Sequence, residues 1–293
     1  MSATNVVTVV IPAYNSEDTI RRAIGSCRDI EGCRILVVDD GSTDATAAVA
    51  RDAGAEVIAQ SNAGASHARR NGISHSSTDF IALLDADDEL IPAGVTESIR
   101  MLQADPELCV VGGRVIGVSP NGREHLLDRH YRTVSTEDLL FTGFGPWPPA
   151  AAVMRRSAFD RAAHLSIPSL DTRYAEDYEM IIRLSMVGRV GMHDEPATRY
   201  RLYAGKSSHA PTKALADKEA IRTHYASATG TRVNLMSSQE IKGAAYTRAA
   251  RTAWANGRKT SAATWILRSI VVAPKLLQRK LLNRIWRPAP SRE

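Results

Sequence analysis

"IALLDADDEL" (residues 81–90) runs four apolar residues straight into Asp85, Asp87, Asp88 and Glu89. A short continuous apolar run of this kind reads as a strand buried on both faces. Carboxylates packed this closely repel one another. Their place is therefore the end of the strand, where a ligand sits, and not the core.

The same pattern recurs on the N-terminal side. "VVTVVIPA" (6–13) is a β-branched run, and "RILVVDD" (34–40) is a second apolar strand ending in acids. "EVIAQ" (56–60) and "LCVVGGRV" (108–115) read as further strands. Helical stretches separate them. "NSEDTIRRAIGSC" (15–27) opens with cap-type residues, places Glu17 and Asp18 in the first turn, and carries Ile20, Ala23, Ile24 and Cys27 at helical spacing. "GSTDATAAVARDAG" (41–54) reads as a capped helix stopped by Gly54, "SHARRNGISHS" (66–76) as a short helix, and Pro92 starts a helix running to about Ala104. Apolar strands separated by helices predict an α/β fold with a mostly parallel central sheet flanked by helices. In such sheets ligands bind outside the carboxyl ends of the strands, where "DDGSTD" (39–44) and "DADDEL" (85–90) both lie.

The middle of the chain is less regular. A hairpin is expected around Asn121-Gly122, a short capped helix at "STEDLLF" (135–141), and a stiff Gly/Pro/Trp loop at "GFGPWPPA" (143–150). "AEDYEMIIRLSMVG" (175–188) is a helix with Glu176 and Asp177 in its first turn, and "RVGMHDEPATRYRLY" (189–203) supplies closing strands. Residues 240–274 read as two antiparallel helices joined near Asn256-Gly257, and "KLLQRKLLNRIW" (275–286) as a last helix with Leu277, Leu281 and Ile285 on one stripe. The expected division is 1–115, 116–240, and 241–293 for a basic helical extension.

At 293 residues, 44% hydrophobic and 24% charged, the chain has the composition of a soluble globular protein with room for a large core. Cys27, Cys33 and Cys109 have no CxxC spacing, which excludes a zinc ribbon and reads as reduced cytosolic thiols. No secretory leader and no apolar run of about 18 residues is visible. From Lys242 onward twelve Lys and Arg face one acid, Glu293, so the net charge of +5 is a basic tail on an acidic body. Nucleic acid is not an expected partner, because aromatic residues are not interleaved with these charges as a stacking platform needs. Two readings of the tail stay open: a solvated helical hairpin, or a last helix lying peripherally on the inner face of the cell membrane.

Several residues carry candidate chemistry. Asp85 and Asp87 form a D-x-D whose hard oxygens suit Mn2+ or Mg2+, with substrate phosphates and water completing the shell; the alternative is a solvated acidic loop. Asp39 and Asp40 can accept hydrogen bonds from a base or ribose, while Ser42 or Asp44 can cap a helix. Tyr14 after Pro12 can lie against a flat base or pack at a turn. Arg69, in a cluster with His67, Arg70 and Asn71, can meet phosphate or pair an acid. Glu176 and Asp177 complement a helix dipole, or serve catalysis. His75, His125, His164, His193 and His224 are read as surface or satisfied histidines.

These pieces occur in one order: "PAYN", "VVDDGSTD", N-x-G-x-x-x-A-R before a strand, "LLDADD", a distant Glu-Asp on a helix, then "YRLYAGKSS". With that order the chain, over roughly residues 6 to 210, resembles the inverting family 2 glycosyltransferases of GT-A fold. The resemblance implies a metal-dependent transfer of a sugar from a nucleotide-sugar, UDP-linked by preference, to a hydroxyl of a glycan or lipid-linked acceptor. It implies that Tyr14 and Asp40 hold the donor base, with Pro12 shaping the turn. It implies Arg69 near the donor phosphates or bracing the acidic loop, and Asp85 with Asp87 as the metal-binding pair, Asp87 the direct ligand. It gives Asp177 as general base supported by Glu176, and Trp147 on the acceptor side. One departure stands out: members often carry His two residues after the Arg of "YR", where this chain has Tyr203, with Lys206 and His209 as replacements nearby. A sugar nucleotidyltransferase and a non-catalytic nucleotide-sugar scaffold are the rival readings; the first would bring a Gly-rich basic loop after the first strand, which "PAYNSEDTI" (12–20) lacks.

Overall fold

The computed structural model describes residues 6–127, 134–170, 172–202, 210–255 and 257–274. Tyr203, Lys206, His209, Asn256 and residues 275–293, with the expected last helix, lie outside them. The chain forms two compact units: residues 1–169 with Glu176–Tyr203, and Leu170–Ala175 with Ala204–Glu293.

Among the described residues the first unit contains nine strands: β1 (Val7–Ala13), β2 (Cys33–Asp39), β3 (Glu56–Ala59), β4 (Phe80–Leu83), β5 (Glu89–Leu90), β6 (Leu108–Val118), β7 (Glu124–Leu126), β8 (Ala152–Arg155) and β9 (Arg189–Arg201). Its helices are α1 (Ile20–Gly25), α2 (Thr46–Asp52), α3 (Ala65–Ser74), α4 (Pro92–Ala104), α5 (Thr136–Thr142), α6 (Arg156–Ala163) and α7 (Glu176–Ser185). One sheet runs in the order β3-β2-β1-β4-β8-β6-β9-β5, with β7 on β6. The N-terminal strands β3, β2, β1 and β4 are parallel. β8 is antiparallel to both its neighbours, and β6 and β9 are again parallel, so the whole sheet is mixed.

Central β1 is buried at all seven positions, as a parallel strand covered on both faces must be. Val7, Val9 and Ile11 join Ile20 and Ile24 of α1 in the main core. Each such side chain contributes roughly 1.5–3 kcal/mol when fully buried. On the opposite face α3 lies very close to the sheet. A Cβ on Gly72 would sit 2.3 Å from Val10 Cγ1 and 3.0 Å from Val38 Cγ2, so the helix that carries Arg69 reaches its seat because residue 72 has no side chain.

Local signals place most boundaries. Pro92 occupies the first turn of α4. Ser135 and Asp138 form a reciprocal capping box on α5, and Gly143 ends that helix at φ +69°. Gly122, at φ +79°, turns the β6–β7 hairpin. One expectation is corrected. Glu17 and Asp18 precede α1, which starts only at Ile20. Asn15 takes φ +49°, and Glu17 is engaged across the fold: its N–H donates to Asp44 Oδ2 (3.2 Å) and its Oε2 accepts from Ala45 N–H (2.9 Å). Tertiary bonds outweigh the helix dipole here. The two-residue strand β5 is absent from the sequence reading; its partner is β9, more than a hundred residues away.

The second unit contains α8 (Pro211–Thr229), α9 (Ser238–Ala255) and α10 (Lys259–Val272). Glu219 and Arg222, both buried, pair at 2.8 Å, and Glu219 Oε2 also accepts from Met236 N–H (2.9 Å), which ties the segment before α9 to α8. α9 and α10 form the expected antiparallel pair. Tyr246 stacks on Trp265 at 5.4 Å, and Ser269 Oγ donates to Gly243 O at 2.8 Å.

Candidate active site

The carboxyl ends of β1, β2 and β4 leave the sheet on the same side, since the three strands are parallel neighbours. Leu84 N–H donates to Val10 O at 3.0 Å, which makes Asp85 the first residue beyond the ladder. Asp88 N–H then donates to Asp85 O (3.0 Å) and closes a tight turn. Within that turn the residues alternate: Asp85 is half-buried, Ala86 buried, Asp87 exposed and Asp88 buried. Asp85 and Asp87 thus share the outer side.

The inner acids hold the turn in place. Asp88 Oδ1 accepts from Arg201 N–H at 2.8 Å. Glu89 Oε1 meets Arg201 Nη2 at 2.9 Å and Arg22 Nε at 3.0 Å. Burial pushes the Asp88 carboxyl up to about 8; the Arg201 N–H opposes this and the Asp85 and Asp87 charges add to it. Asp87, although its outer side is open, is also raised, first by desolvation against the surrounding turn and then by the Asp85 charge. The Tyr200 phenol, pushed up to about 12 by burial and then by Asp85, Asp88, Asp177 and Asp87, lies in the same negative field. Tyr200 and Arg201 were not singled out from the sequence, although the "YR" of the resemblance marks their position.

Arg69 joins the two acidic segments. Its Nη2 donates to Asp85 Oδ1 and its Nη1 to Glu176 Oε1, each at 2.6 Å. Burial works against its charge, yet Asp85 and Glu176 overcome that and hold the guanidinium above its ordinary range. Burial raises Glu176 in turn, Arg69 restrains it, and Asp177 adds repulsion. Asp85, Arg69, Glu176 and Asp177 are therefore one cluster, built from β4, α3 and α7.

The first two loops are laced together. Asn15 N–H donates to Ser42 Oγ (3.0 Å), and Asn15 Oδ1 accepts from Thr43 N–H (2.9 Å). Ser16 N–H donates to Thr46 Oγ1 (2.7 Å), and Asp44 Oδ1 accepts from Thr46 N–H (2.9 Å). Pro12 is buried at the end of β1, and Tyr14 follows with 37% of its surface exposed. Asp40 is buried, and its carboxylate accepts from Gln60 Nε2, Ala63 N–H and Gly64 N–H, each at 2.8 Å. Of the roughly four lone-pair positions on a carboxylate, three are filled by the 60–64 turn.

A cleft lined by Trp147, Pro149, Met154, Asp177, Met180 and Ile181 opens beside α7. Asp177 is exposed within it and accepts from Tyr178 N–H at 2.8 Å. Tyr178 Oη donates to Leu139 O (2.6 Å), fixing the first turn of α7 against α5.

The donor set suits a hard divalent cation: adjacent carboxylate oxygens whose mutual repulsion a cation relieves. Among the described residues no group of three or more His, Cys, Asp or Glu is arranged to hold a metal by itself. Asp85 and Asp87 fit an ion that takes one or two protein carboxylates and completes its shell from phosphate and water.

Comparison with known proteins gives the family and the fold. The description "Glycosyl transferase family 2" matches residues 8–162, more than half of the chain. Glycosyltransferase AglJ of Haloferax volcanii is 32% identical over 127 residues, 43% of this chain and 42% of its own length. An uncharacterized glycosyltransferase of Haemophilus influenzae is 25% identical over 222 residues, 69% of this chain and 67% of its own. The chain thus spans less than half of the haloarchaeal relative and about two thirds of the other. S. aureus TarS 1-349, solved in complex with UDP-GlcNAc, matches with a TM-score of 0.61 at 18% identity over 86% of this chain and 74% of that one. Mannosyltransferase PcManGT from Pyrobaculum calidifontis, solved with GDP-Man and Mn2+, matches with a TM-score of 0.54 at 16% identity over 98% and 82%. These structural matches establish the GT-A fold of the sheet and its helices. The chain belongs to glycosyl transferase family 2.

Proposed function

We propose that the protein transfers a sugar, with inversion, from a nucleotide-sugar to a hydroxyl of a glycan or lipid-linked acceptor. One observation carries the reading: a single guanidinium, Arg69, bridges Asp85 of the D-x-D to Glu176 beside Asp177. The donor-side acids and the acceptor-side acids therefore share one site, as a direct displacement at the anomeric carbon requires.

In this reading Tyr14 lies against the base and Pro12 sets its approach. Asp40 shapes the 60–64 turn beside it and keeps one lone pair for a base or ribose donor. Asp87, with Asp85, holds Mn2+ or Mg2+, which when bound neutralises charge on the departing diphosphate as a Lewis acid. Arg69 keeps Asp85 and Glu176 apart at fixed separation. Trp147 offers a flat apolar wall to the acceptor. Asp177 accepts the acceptor hydroxyl's proton as its oxygen attacks from the face opposite the leaving group, an effect worth about 10²–10⁴-fold. Glu176 supports Asp177 electrostatically through Arg69.

A UDP-linked donor is the preferred class; TarS, crystallised with UDP-GlcNAc and with UDP, supports it, and PcManGT, solved with GDP-Man, keeps a guanine donor as the alternative to test. Residues 1–115 form the donor half, 116–240 the acceptor half, and 241–293 a basic extension that contacts the inner face of the cell membrane. Among the described residues no helix is long and apolar enough to cross a membrane.

Asp177→Asn tests the reading. It should abolish transfer while nucleotide affinity stays within about twofold of wild type. Equal loss of transfer and nucleotide binding would make Asp177 a structural residue and remove the proposed base.

A further inference from the structure

Helix α10 is apolar on the wrong side. Ala263, Ile266, Leu267, Ile270 and Val271 recur at i, i+3, i+4, i+7 and i+8, the spacing of a core-facing stripe. All five are exposed, Leu267 at 63% and Val271 at 80%. The side that packs on α9 is made instead of Ala262 and Ser269, both buried, and of Trp265 on Tyr246. The stripe is therefore surplus to the helical pair. Trp254 at the end of α9 is 64% exposed and adds an aromatic residue to the same pair of helices.

Charge identifies what the stripe meets. Residues 241–274 contain six Lys or Arg and no Asp or Glu. Arg258 and Lys259 open α10, Lys259 Nζ lies 5.9 Å from the Trp254 ring, and Arg268 sits 5.0 Å over Trp265. Aliphatic side chains and Trp flanked by cations, without acids, make up the surface of a helix that lies in an anionic lipid interface. A soluble protein partner would need its own acids matched to these cations and an apolar groove besides; a leaflet of anionic lipid presents both at once. At 14 residues α10 is about 21 Å long, too short to span a bilayer core of about 30 Å. It would lie on the surface.

We propose that the exposed face of α10 seats the protein on an anionic lipid surface, Leu267 and Val271 entering the acyl boundary and the Lys and Arg side chains of α9 and α10 staying at headgroup level. This seat is separate from residues 275–293 and does not depend on the transfer reaction.

The test is flotation of the full chain with vesicles of phosphatidylcholine containing one-third phosphatidylglycerol, and with phosphatidylcholine alone. The wild type should float with the anionic vesicles, weaken as salt rises, and leave pure phosphatidylcholine largely unbound. The double variant L267S/V271S should lower the partition coefficient at least about tenfold. Both positions are exposed, so its thermal midpoint should match wild type. Wild-type binding that survives L267S/V271S unchanged would overturn the proposal in favour of residues 275–293. No wild-type binding to anionic vesicles would also overturn it. So would a wild-type dimer in light scattering that L267S/V271S dissociates without any vesicle binding, since a second copy would then cover the stripe.

Discussion

The indole of Trp147 occupies the space that a side chain on Gly112 would need. A Cβ at position 112 would lie 2.5 Å from both Cδ2 and Cε2 of the ring. β6 thus forms a bare floor on which the proposed acceptor wall rests. Gly112→Ala should lower stability by about 1–3 kcal/mol, the usual range for overpacking. Removing the ring should make room again, so Gly112→Ala in a Trp147→Ala background should cost less than in wild type. Denaturant unfolding of the four proteins in this cycle measures the coupling; additive effects would mean the contact does not hold Trp147.

Arg69 is the second point of leverage. A lysine at this position has one ammonium and cannot span Asp85 and Glu176 as the planar fork does. Arg69→Lys should lose at least about tenfold in transfer rate and roughly 1–3 kcal/mol in stability, because one carboxylate is left partly buried beside its neighbour. Steady-state kinetics and urea unfolding read both. Wild-type behaviour in the two assays would show that the bridge is incidental.

Nucleotide titration calorimetry separates the donor classes. UDP should bind more tightly than GDP, the affinity should require Mn2+ or Mg2+, and Asp87→Ala should remove the metal dependence. Chelation with EDTA should reproduce the Asp87→Ala result in wild type. Equal, metal-independent binding of both nucleotides would contradict the assignment of Asp87.

Lys218 in α8 gives a stability prediction with a definite sign. Burial pushes its ammonium down to about 8, Glu219 opposing and Arg222 and Arg248 adding to the shift. An unfolded lysine titrates near 10.4. Between these values the unfolded chain binds more protons, so stability rises with pH through that window. Below about pH 8 the folded state carries the full cost of the buried charge. Lys218→Met should raise stability there by on the order of 1–3 kcal/mol, and the gain should fade to nothing above about pH 10.4. A gain independent of pH would place its origin in packing instead.

The three thiols should be quiet. Burial pushes Cys27 up to about 12 and Cys33 and Cys109 up to about 11. Since the thiolate is the reactive form, the folded protein should resist a disulfide reagent at pH 8, and unfolding should release three equivalents. Rapid labelling of the native protein would indicate local opening around β2 or α1.

The parts of this molecule that were legible beforehand share a property: their cause is local. Continuous Val and Ile runs made β1 and β2 readable, Pro92 set the start of α4, and Ser135 with Asp138 marked α5. The acidic turn after β4 announced itself by composition. What stayed hidden depends on contacts distant in sequence. Nothing near Arg69 indicates Glu176, 107 positions on. Nothing near Asp88 indicates the Arg201 N–H, 113 positions on. Glu17 satisfied every local rule for a first-turn acid and was drawn instead to Ala45. Nothing near Asp40 indicates the three donors at residues 60–64 that take up most of its carboxylate, because that turn is brought back only by the parallel pairing of β2 with β3.

The bonds among Asn15, Ser42, Thr43 and Thr46 have a consequence for selectivity. Two loops that would each wander alone are locked to one another before any donor arrives, so this rim is a rigid template and not a wrapping one. With the donor base held beside Tyr14 as proposed, a nucleobase of the wrong outline would meet a wall that does not yield, and discrimination there would work by refusal, at the moment of entry. Loosening the rim, for instance by Asn15→Ala, would then broaden the range of nucleotides admitted before it weakened the one preferred.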